Sequence, residues 1–266
     1  MSLAFQNTVR RVLFLRNASL YLLKPKNMII KKLLPIFACI LLASACKKDK
    51  DPVTAPYNCA ACVTAPEALV ANNASSKGIY KGVLIGSTGT IKFNVANNGT
   101  DITAIMVIDG TTINLSSTIE WTSGAAYVAP FTGTYNGSPV TVNFSVGMDG
   151  SNPIVTSSDI PGHAGADFLI IKETSTSLVE AFIGTYHSSL PEDGVFNILL
   201  NRSTNTWNAI ARENGETNQN YADGTINNNV LINGSQNIGT LNGDDLNGSF
   251  MDANQSTITI TGKRVL

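Results

Sequence analysis

The sequence predicts an all-β protein, in which antiparallel meander strands form barrel- or sandwich-like units that arose by internal duplication. Three observations support this fold class. Apolar residues alternate with polar ones along many short segments, turn-forming dipeptides separate these segments, and two patches of sequence recur at one common offset. No stretch after Ala71 has a sustained helical period, so the crossover helices that a parallel sheet requires are not expected.

Alternation is the first observation. A period of two marks strands that bury one face and expose the other. Apolar side chains follow this period in the segments 91–95, 102–108, 140–148, 207–211 and 258–260. These segments are therefore predicted to be half-buried strands.

Turn dipeptides are the second observation. Four Asp-Gly pairs begin at positions 109, 149, 193 and 223, and six Asn-Gly pairs begin at 98, 136, 214, 233, 242 and 247. Such pairs tolerate the positive φ angles of tight hairpin turns. Ten of them, between strands of five to nine residues, indicate an antiparallel meander.

Repetition is the third observation. Gly78-Ile79-Tyr80 matches Gly184-Thr185-Tyr186 at an offset of 106, and residues 133–144 match residues 239–250 at the same offset without gaps. A shared offset predicts a duplication, with one β unit over residues 77–175 and a second over 176–266. Each unit could close on itself, or both could contribute to one larger barrel; two similar units in tandem are favoured.

Charge divides the chain into two parts. Residues 1–45 contain seven basic side chains and no acidic one, whereas residues 46–266 contain the other 11 basic and all 19 acidic ones, a net charge of −8. A split this sharp predicts an N-terminal segment with a separate task. The acidic remainder argues against nucleic acid as a partner, because phosphate binding requires a basic surface.

The N-terminal segment has the order of an export signal. Lys31 and Lys32 precede the apolar run 33–45, which is shorter than the roughly 20 residues that a membrane-spanning helix needs. Basic, apolar and then small residues are typical of a signal peptide. We therefore predict that residues 1–45 direct export and that Met28 is the true start; a functional N-terminal extension before Met28 is the alternative.

Leu42-Ala43-Ser44-Ala45-Cys46, followed by a polar stretch, resembles the lipobox of bacterial lipoproteins. The resemblance implies cleavage before Cys46, lipid on Cys46 and a membrane anchor in the cell envelope, at the outer membrane and on its periplasmic or surface side. Ala43 stands where the family usually has Leu, and Ala43-x-Ala45 also suits an ordinary signal peptidase, so cleavage without lipidation is the alternative. Residues 46–76 are predicted to be the lipidated tether.

Two cysteines remain in the exported part. Cys59 and Cys62 lie between Pro56 and Pro66, where the helix of a redox Cys-x-x-Cys motif is not predicted. A zinc site would need two further ligands. We favour a small disulfide loop between Cys59 and Cys62, which an oxidising compartment permits; redox or metal-binding roles are the alternatives.

The sequence contains no recognisable catalytic motif, so no catalytic residue, metal site or cofactor is predicted. His163 lies in a Gly-rich loop, where it could act as a base or metal ligand with Asp159 or Asp167, but a surface role is favoured. A Gly-x-Ser-x-Gly elbow is absent. The adjacent carboxylates Glu192-Asp193 and Asp244-Asp245 fall in predicted turns and do not form a glycosidase pair by themselves.

Aromatic side chains are the remaining functional resource, since they stack on sugar rings or line apolar pockets. Tyr80, Tyr186 and Trp207 are predicted to pack in the core. Trp121, beside Glu120 and before a Thr-Ser-Gly turn, is the candidate for ligand contact.

The sequence therefore predicts a non-enzymatic envelope module that binds a glycan, a lipid or a protein partner. A structural envelope protein without a small-molecule ligand is the alternative, and a hydrolase with carboxylates from distant strands is less favoured. The sequence makes no prediction about the oligomeric state.

Overall fold

The computed structural model describes residues 57–266, which form two eight-stranded antiparallel β structures and one short 3-10 turn, Val70–Asn72. The all-β meander is confirmed. Signal peptide, start site and lipid attachment at Cys46 all fall outside the described residues and stay predictions.

The first β structure is a sheet of eight strands. Its strands are β1 (Gly78–Ile85), β2 (Gly89–Val95), β3 (Ile102–Ile108), β4 (Thr111–Ser116), β5 (Tyr127–Tyr135), β6 (Ser138–Val146), β7 (Ile154–Asp159) and β8 (Asp167–Glu173). Strands β1 to β7 pair in chain order, and β8 pairs with the free side of β1. The two edge strands, β7 and β8, approach each other without a paired ladder, so this barrel is nearly closed.

The second β structure is a closed barrel, again a meander. Its strands are β9 (Val179–Ser188), β10 (Asp193–Asn201), β11 (Thr206–Glu213), β12 (Asn220–Asn227), β13 (Val230–Asn233), β14 (Gln236–Asn242), β15 (Asp245–Met251) and β16 (Thr257–Arg264). Closure comes from β9, which pairs with both β10 and β16. A closed barrel leaves no strand edge exposed.

The eight-stranded meander therefore occurs twice, but the sequence offset of 106 does not follow the strand order. Adding 106 to the residue numbers places the start of β1 on β9, the first strand of the second structure. The same offset places β5 and β6 on β14 and β15, although counting strands from β9 would match them with β13 and β14. Strand and loop lengths differ between the two structures, and a constant offset cannot follow such differences.

Five of the ten turn dipeptides lie in turns or loops between strands, and two more, Asn233-Gly234 and Asn242-Gly243, begin at the last residue of a strand and lead into a turn. At Asp109-Gly110 and Asn136-Gly137 both φ angles are positive, as a tight hairpin turn requires. The three others lie inside strands: Asp193-Gly194, Asp223-Gly224 and Asn247-Gly248. Gly224 is needed for space, because a Cβ there would lie 2.7 Å from Trp207 Nε1.

Large side chains fill both interiors. In the first structure the rings of Phe93 and Phe144 stack with centroids 4.3 Å apart, while Tyr80 and Phe131 contact the same pair. In the barrel Trp207 is fully buried. The predicted core positions of Tyr80 and Trp207 are confirmed, and Tyr186 is partly buried against the barrel core.

Strand β1 is buried on both faces, because one face lines the interior of the first structure and the other packs against the outer wall of the barrel. Val83 and Ile85 face the barrel and pack with Val179, Ala181 and other apolar residues of β9 to β11. A buried Asn197 joins the two structures, since its Nδ2 donates to Leu84 O at 2.5 Å. The described residues thus belong to one compact unit.

Residues 57–76 were predicted to belong to the tether, but they pack against both β structures. The backbone N–H groups of Tyr57 and Cys59 donate to Asp245 and Asp244, at 2.9 and 2.8 Å. Further along, Glu67 N donates to Glu173 Oε1 at 2.6 Å. The buried carboxylate of Glu173 and the half-buried ones of Asp244 and Asp245 hold this segment, so the tether prediction now concerns only residues 46–56, which the structure does not describe.

Candidate functional site

Trp121 lies in the loop between β4 and β5, at the end of the first sheet where β1 begins. Its indole Nε1 donates to Ser76 Oγ at 2.8 Å, and Ser76 Oγ donates in turn to Ala125 O at 2.8 Å. The ammonium of Lys77 lies 4.4 Å from the centroid of the indole ring, within the range of a cation–π contact. The ring is therefore held in one orientation while part of it stays exposed.

Two clefts open on either side of Trp121. One has a volume of about 350 Å³ and is lined by Lys77, Ala96, Gly99, Thr100, Glu120 and Trp121. The other has a volume of about 460 Å³ and also contacts Lys77 and Trp121. Its remaining lining residues are Ala71, Asn72, Ala74, Ser75, Ser123, Gly124, Met148 and Asp149. Both volumes lie within the range of small-molecule sites. Trp121 and Lys77 form the wall that the two clefts share.

The segment before β1 supports this wall. Asn72 is buried and donates through Nδ2 to Asn97 O at 2.8 Å and to Asn97 Oδ1 at 3.0 Å. Lys172 on β8 donates to Asn72 O at 2.8 Å and to Ser75 O. These contacts fix the chain on which Ser76 and Lys77 stand.

Charges around the clefts are mixed. Among the lining residues Lys77 is the one base, while Glu120 and Asp149 are acidic. Hydrogen bonds from Ser151 lower the pKa of Asp149. Burial lowers the pKa of Lys172 to about 8, an effect that the nearby Asp149 carboxylate opposes. Burial also raises the pKa of Tyr80, which therefore stays neutral beneath the Lys172 ammonium.

His163 has different partners from those predicted. Its Nδ1 contacts Ser87 Oγ at 2.5 Å and lies 3.8 Å from Asp109 Oδ2, and its ring packs against Tyr135. Neither Asp159 nor Asp167 contacts it; Asp167 instead accepts a hydrogen bond from Tyr221 OH at 3.0 Å. Ser87 and Asp109 thus face the same ring nitrogen of His163. In a Ser-His-Asp triad the serine and the carboxylate contact different nitrogens of the imidazole, so this arrangement is not a triad.

The other residues that the sequence analysis considered for a functional role lie at separate places in the structure. His187 and Asp193 form an exposed pair at the far end of the barrel. Asp244 and Asp245 accept backbone N–H groups of the N-terminal segment, so these carboxylates serve packing. Cys59 and Cys62 form a disulfide within that segment. Within residues 57–266 no group of three His, Cys, Asp or Glu side chains could hold a metal ion.

Sequence reasoning singled out Trp121 as a candidate but not its neighbours Ser76 and Lys77. They lie 45 and 44 residues before Trp121 in the chain, so no local pattern could reveal the contact. The one available signal was the position of Lys77 directly before β1, at a strand end where loops gather.

No protein-family model, curated protein or solved structure matches this chain. Similarity to known proteins therefore supplies neither an enzyme family nor a set of catalytic residues. None of the described residues forms a helix long and apolar enough to cross a membrane.

Proposed function

We propose that this chain is a lipid-anchored envelope protein whose β module binds a glycan at the Trp121 clefts without catalysing a reaction. The observation that carries the ligand proposal is the partly exposed Trp121 ring between two clefts. An indole face suits the C–H face of a sugar ring. Lys77, Glu120 and Thr100 surround it with groups that hydrogen-bond to sugar hydroxyls.

A lipid inside either β structure is a weaker proposal. Small barrels that hold an apolar ligand need an interior cavity, whereas stacked Phe rings and Trp207 occupy the two interiors. Protein ligands are a further possibility, but the clefts are concave and small, which suits a saccharide better. A purely structural envelope role is the alternative that the binding experiment addresses.

Replacing Trp121 by Ala is expected to weaken glycan binding about tenfold or more, because stacking on an aromatic side chain is lost. The measurement is a glycan array probed with the full chain in detergent, followed by titration calorimetry of the strongest hit. Tyr221→Ala is the matched control, since Tyr221 is an exposed aromatic residue on the barrel. Equal binding by wild type and Trp121→Ala would remove the cleft as the site, and an array without hits would favour the structural role.

The anchor is supported by the sequence of residues 31–46 and is tested separately. Mass spectrometry of the protein extracted from membranes is expected to show loss of residues 1–45 and a diacyl or triacyl mass on Cys46. Cys46→Ala should release the protein into the soluble fraction, because one lipidated residue provides the membrane affinity. An unmodified Cys46 in membrane-extracted protein would contradict lipid attachment.

A further inference from the structure

The outward side of β3 to β7 is almost free of charge. No Asp, Glu, Lys, Arg or His occurs anywhere in β3, β4, β5 or β6, and β7 contributes only Asp159 at its end. A soluble surface normally has charged groups at about a quarter to a third of its positions. We call the outward-facing residues of these five strands the hydroxyl face.

A continuous row of polar side chains crosses this face. Thr103 pairs with Ser116, Ser116 with Thr132, Thr132 with Thr141, and Thr141 with Asp159. Cross-strand partners point to the same side of a sheet, and neighbouring strands lie about 4.8 Å apart. The row thus repeats a hydroxyl group, ending in a carboxylate, at a spacing comparable with the length of one pyranose unit.

Beside this row lie amide, hydroxyl and apolar groups. Asn143 pairs with Ser157 and donates to its Oγ at 2.9 Å. The next row is Val128, Ser145 and Ile154, in which Val128 is 62 % and Ile154 is 52 % exposed. Hydroxyl groups donate and accept hydrogen bonds, while Val and Ile offer flat contact to C–H groups.

The hydroxyl face adjoins the Trp121 clefts. Thr100, which lines one cleft, stands two residues before β3, and Trp121 stands five residues after Ser116, the last residue of β4. The row therefore begins at the loops around the clefts and crosses towards Asp159, at the opposite end of the sheet.

We propose that the hydroxyl face binds a neutral, linear polysaccharide that continues from the Trp121 clefts across β3 to β7. This inference rests on the proposed function, because it extends the same glycan site. An uncharged face offers no counter-charge to an anionic polymer, a nucleic acid or an anionic lipid headgroup. Exposed hydroxyl and amide groups match the hydroxyl groups of a neutral sugar chain.

The test is affinity gel electrophoresis of the full chain in detergent, in native gels that contain one polysaccharide each. The neutral probes are hydroxyethyl cellulose, xyloglucan and galactomannan, which all have a linear backbone; the anionic probes are carboxymethyl cellulose and polygalacturonate. Wild type is expected to be retarded by at least one neutral probe and by neither anionic one. Thr132→Lys/Thr141→Lys is expected to weaken that retardation about tenfold, because it removes two hydroxyl groups from the row and the bound sugar chain would displace water from the lysine ammonium groups.

A matched control lies on the barrel. Thr240→Lys/Thr261→Lys alters two exposed threonines that flank Asn247 in a comparable cross-strand row, and it is expected to leave retardation unchanged. Thermal melting by circular dichroism checks that all variants are folded.

The outcomes separate the two proposals. Loss of retardation in Trp121→Ala but not in Thr132→Lys/Thr141→Lys would uphold the cleft and overturn the hydroxyl face. The reverse result would uphold the face and overturn the cleft. The inference is overturned if no neutral probe retards the wild-type protein. It is also overturned if sedimentation shows that the wild type is a dimer and that the lysine substitutions act only by turning it into a monomer.

Discussion

Replacing Glu173 by Gln is expected to lower the free energy of unfolding by about 3–5 kcal/mol, the usual cost of breaking a buried ion pair on one side. Glu173 and Lys81 are both buried, and Glu173 Oε2 accepts a hydrogen bond from Lys81 Nζ at 2.6 Å. The same carboxylate accepts the backbone N–H groups of Glu67 and Val179, at 2.6 and 3.0 Å. One side chain thus joins the N-terminal segment, β1, β8 and β9.

The neighbouring carboxylate of Glu67 does not take the place of the Glu173 carboxylate. Glu67 Oε2 lies 3.5 Å from Lys81 Nζ, longer than a good charged hydrogen bond. Burial by itself would raise the pKa of Glu67, but the Lys92 and Lys81 ammonium groups outweigh burial and lower it. Glu67 therefore stays ionised, yet it cannot also take over the two backbone N–H groups that Glu173 accepts.

The measurement is urea denaturation of the full chain followed by circular dichroism. Adding Lys81→Met to Glu173→Gln should recover part of the loss, because the unpaired ammonium is then removed. Asp193→Asn, in the exposed pair with His187, is the control and should leave the midpoint unchanged. A Glu173→Gln variant within about 1 kcal/mol of wild type would contradict the role of this carboxylate, given the cost of an uncompensated buried charge.

Replacing Trp207 by Ala is expected to cost about 3–5 kcal/mol, as for other large-to-small changes in a closed core. The ring is fully buried, and its Nε1 donates to Thr225 O at 3.1 Å and to Ile232 O at 3.3 Å. Alanine would leave a cavity beneath Gly224 and would also leave both carbonyl groups without this donor. Trp207→Phe should have an intermediate effect, since it keeps a ring but loses the N–H group.

The chain has two tryptophans, which provides a matched comparison. Trp121→Ala should lower the unfolding midpoint less than Trp207→Ala, because Trp121 is partly exposed and lies at the margin of its core. Each variant retains a single tryptophan whose fluorescence reports unfolding. A larger midpoint shift for Trp121→Ala would show that the loop between β4 and β5 stabilises the fold more than the barrel core does.

Local pattern located five of the sixteen strands and most turns. Alternation located β2, β3 and β6 to within about two residues, but it carried β6 two residues too far, because Met148 follows the strand and is exposed. Turn chemistry failed at Asp193, Asp223 and Asn247, where the glycine that follows lies within a strand. The sequence does not distinguish a glycine that permits a positive φ angle from a glycine that makes room for a facing ring.

The site was predictable only in part. Trp121 stood out because it is one of two tryptophans and adjoins a turn. Its partner Ser76 comes from a segment predicted to be a tether, and Lys77 directly follows that segment. That segment packs because Glu173, Asp244 and Asp245, all far along the chain, accept its backbone N–H groups. Contacts across more than 100 residues have no local signature.

The sequence by itself determined the all-β class, the meander order and the positions of five of the sixteen strands, because period-two burial and turn residues are properties of neighbouring residues. Tertiary structure decided that one sheet closes fully while the other leaves β7 and β8 without a paired ladder between them. It also decided that residues 57–76 pack on both, and that Trp121 and Lys77 form one wall. These features depend on which distant surfaces meet, and that is determined by the packing of whole strands rather than by the order of residues along any one of them.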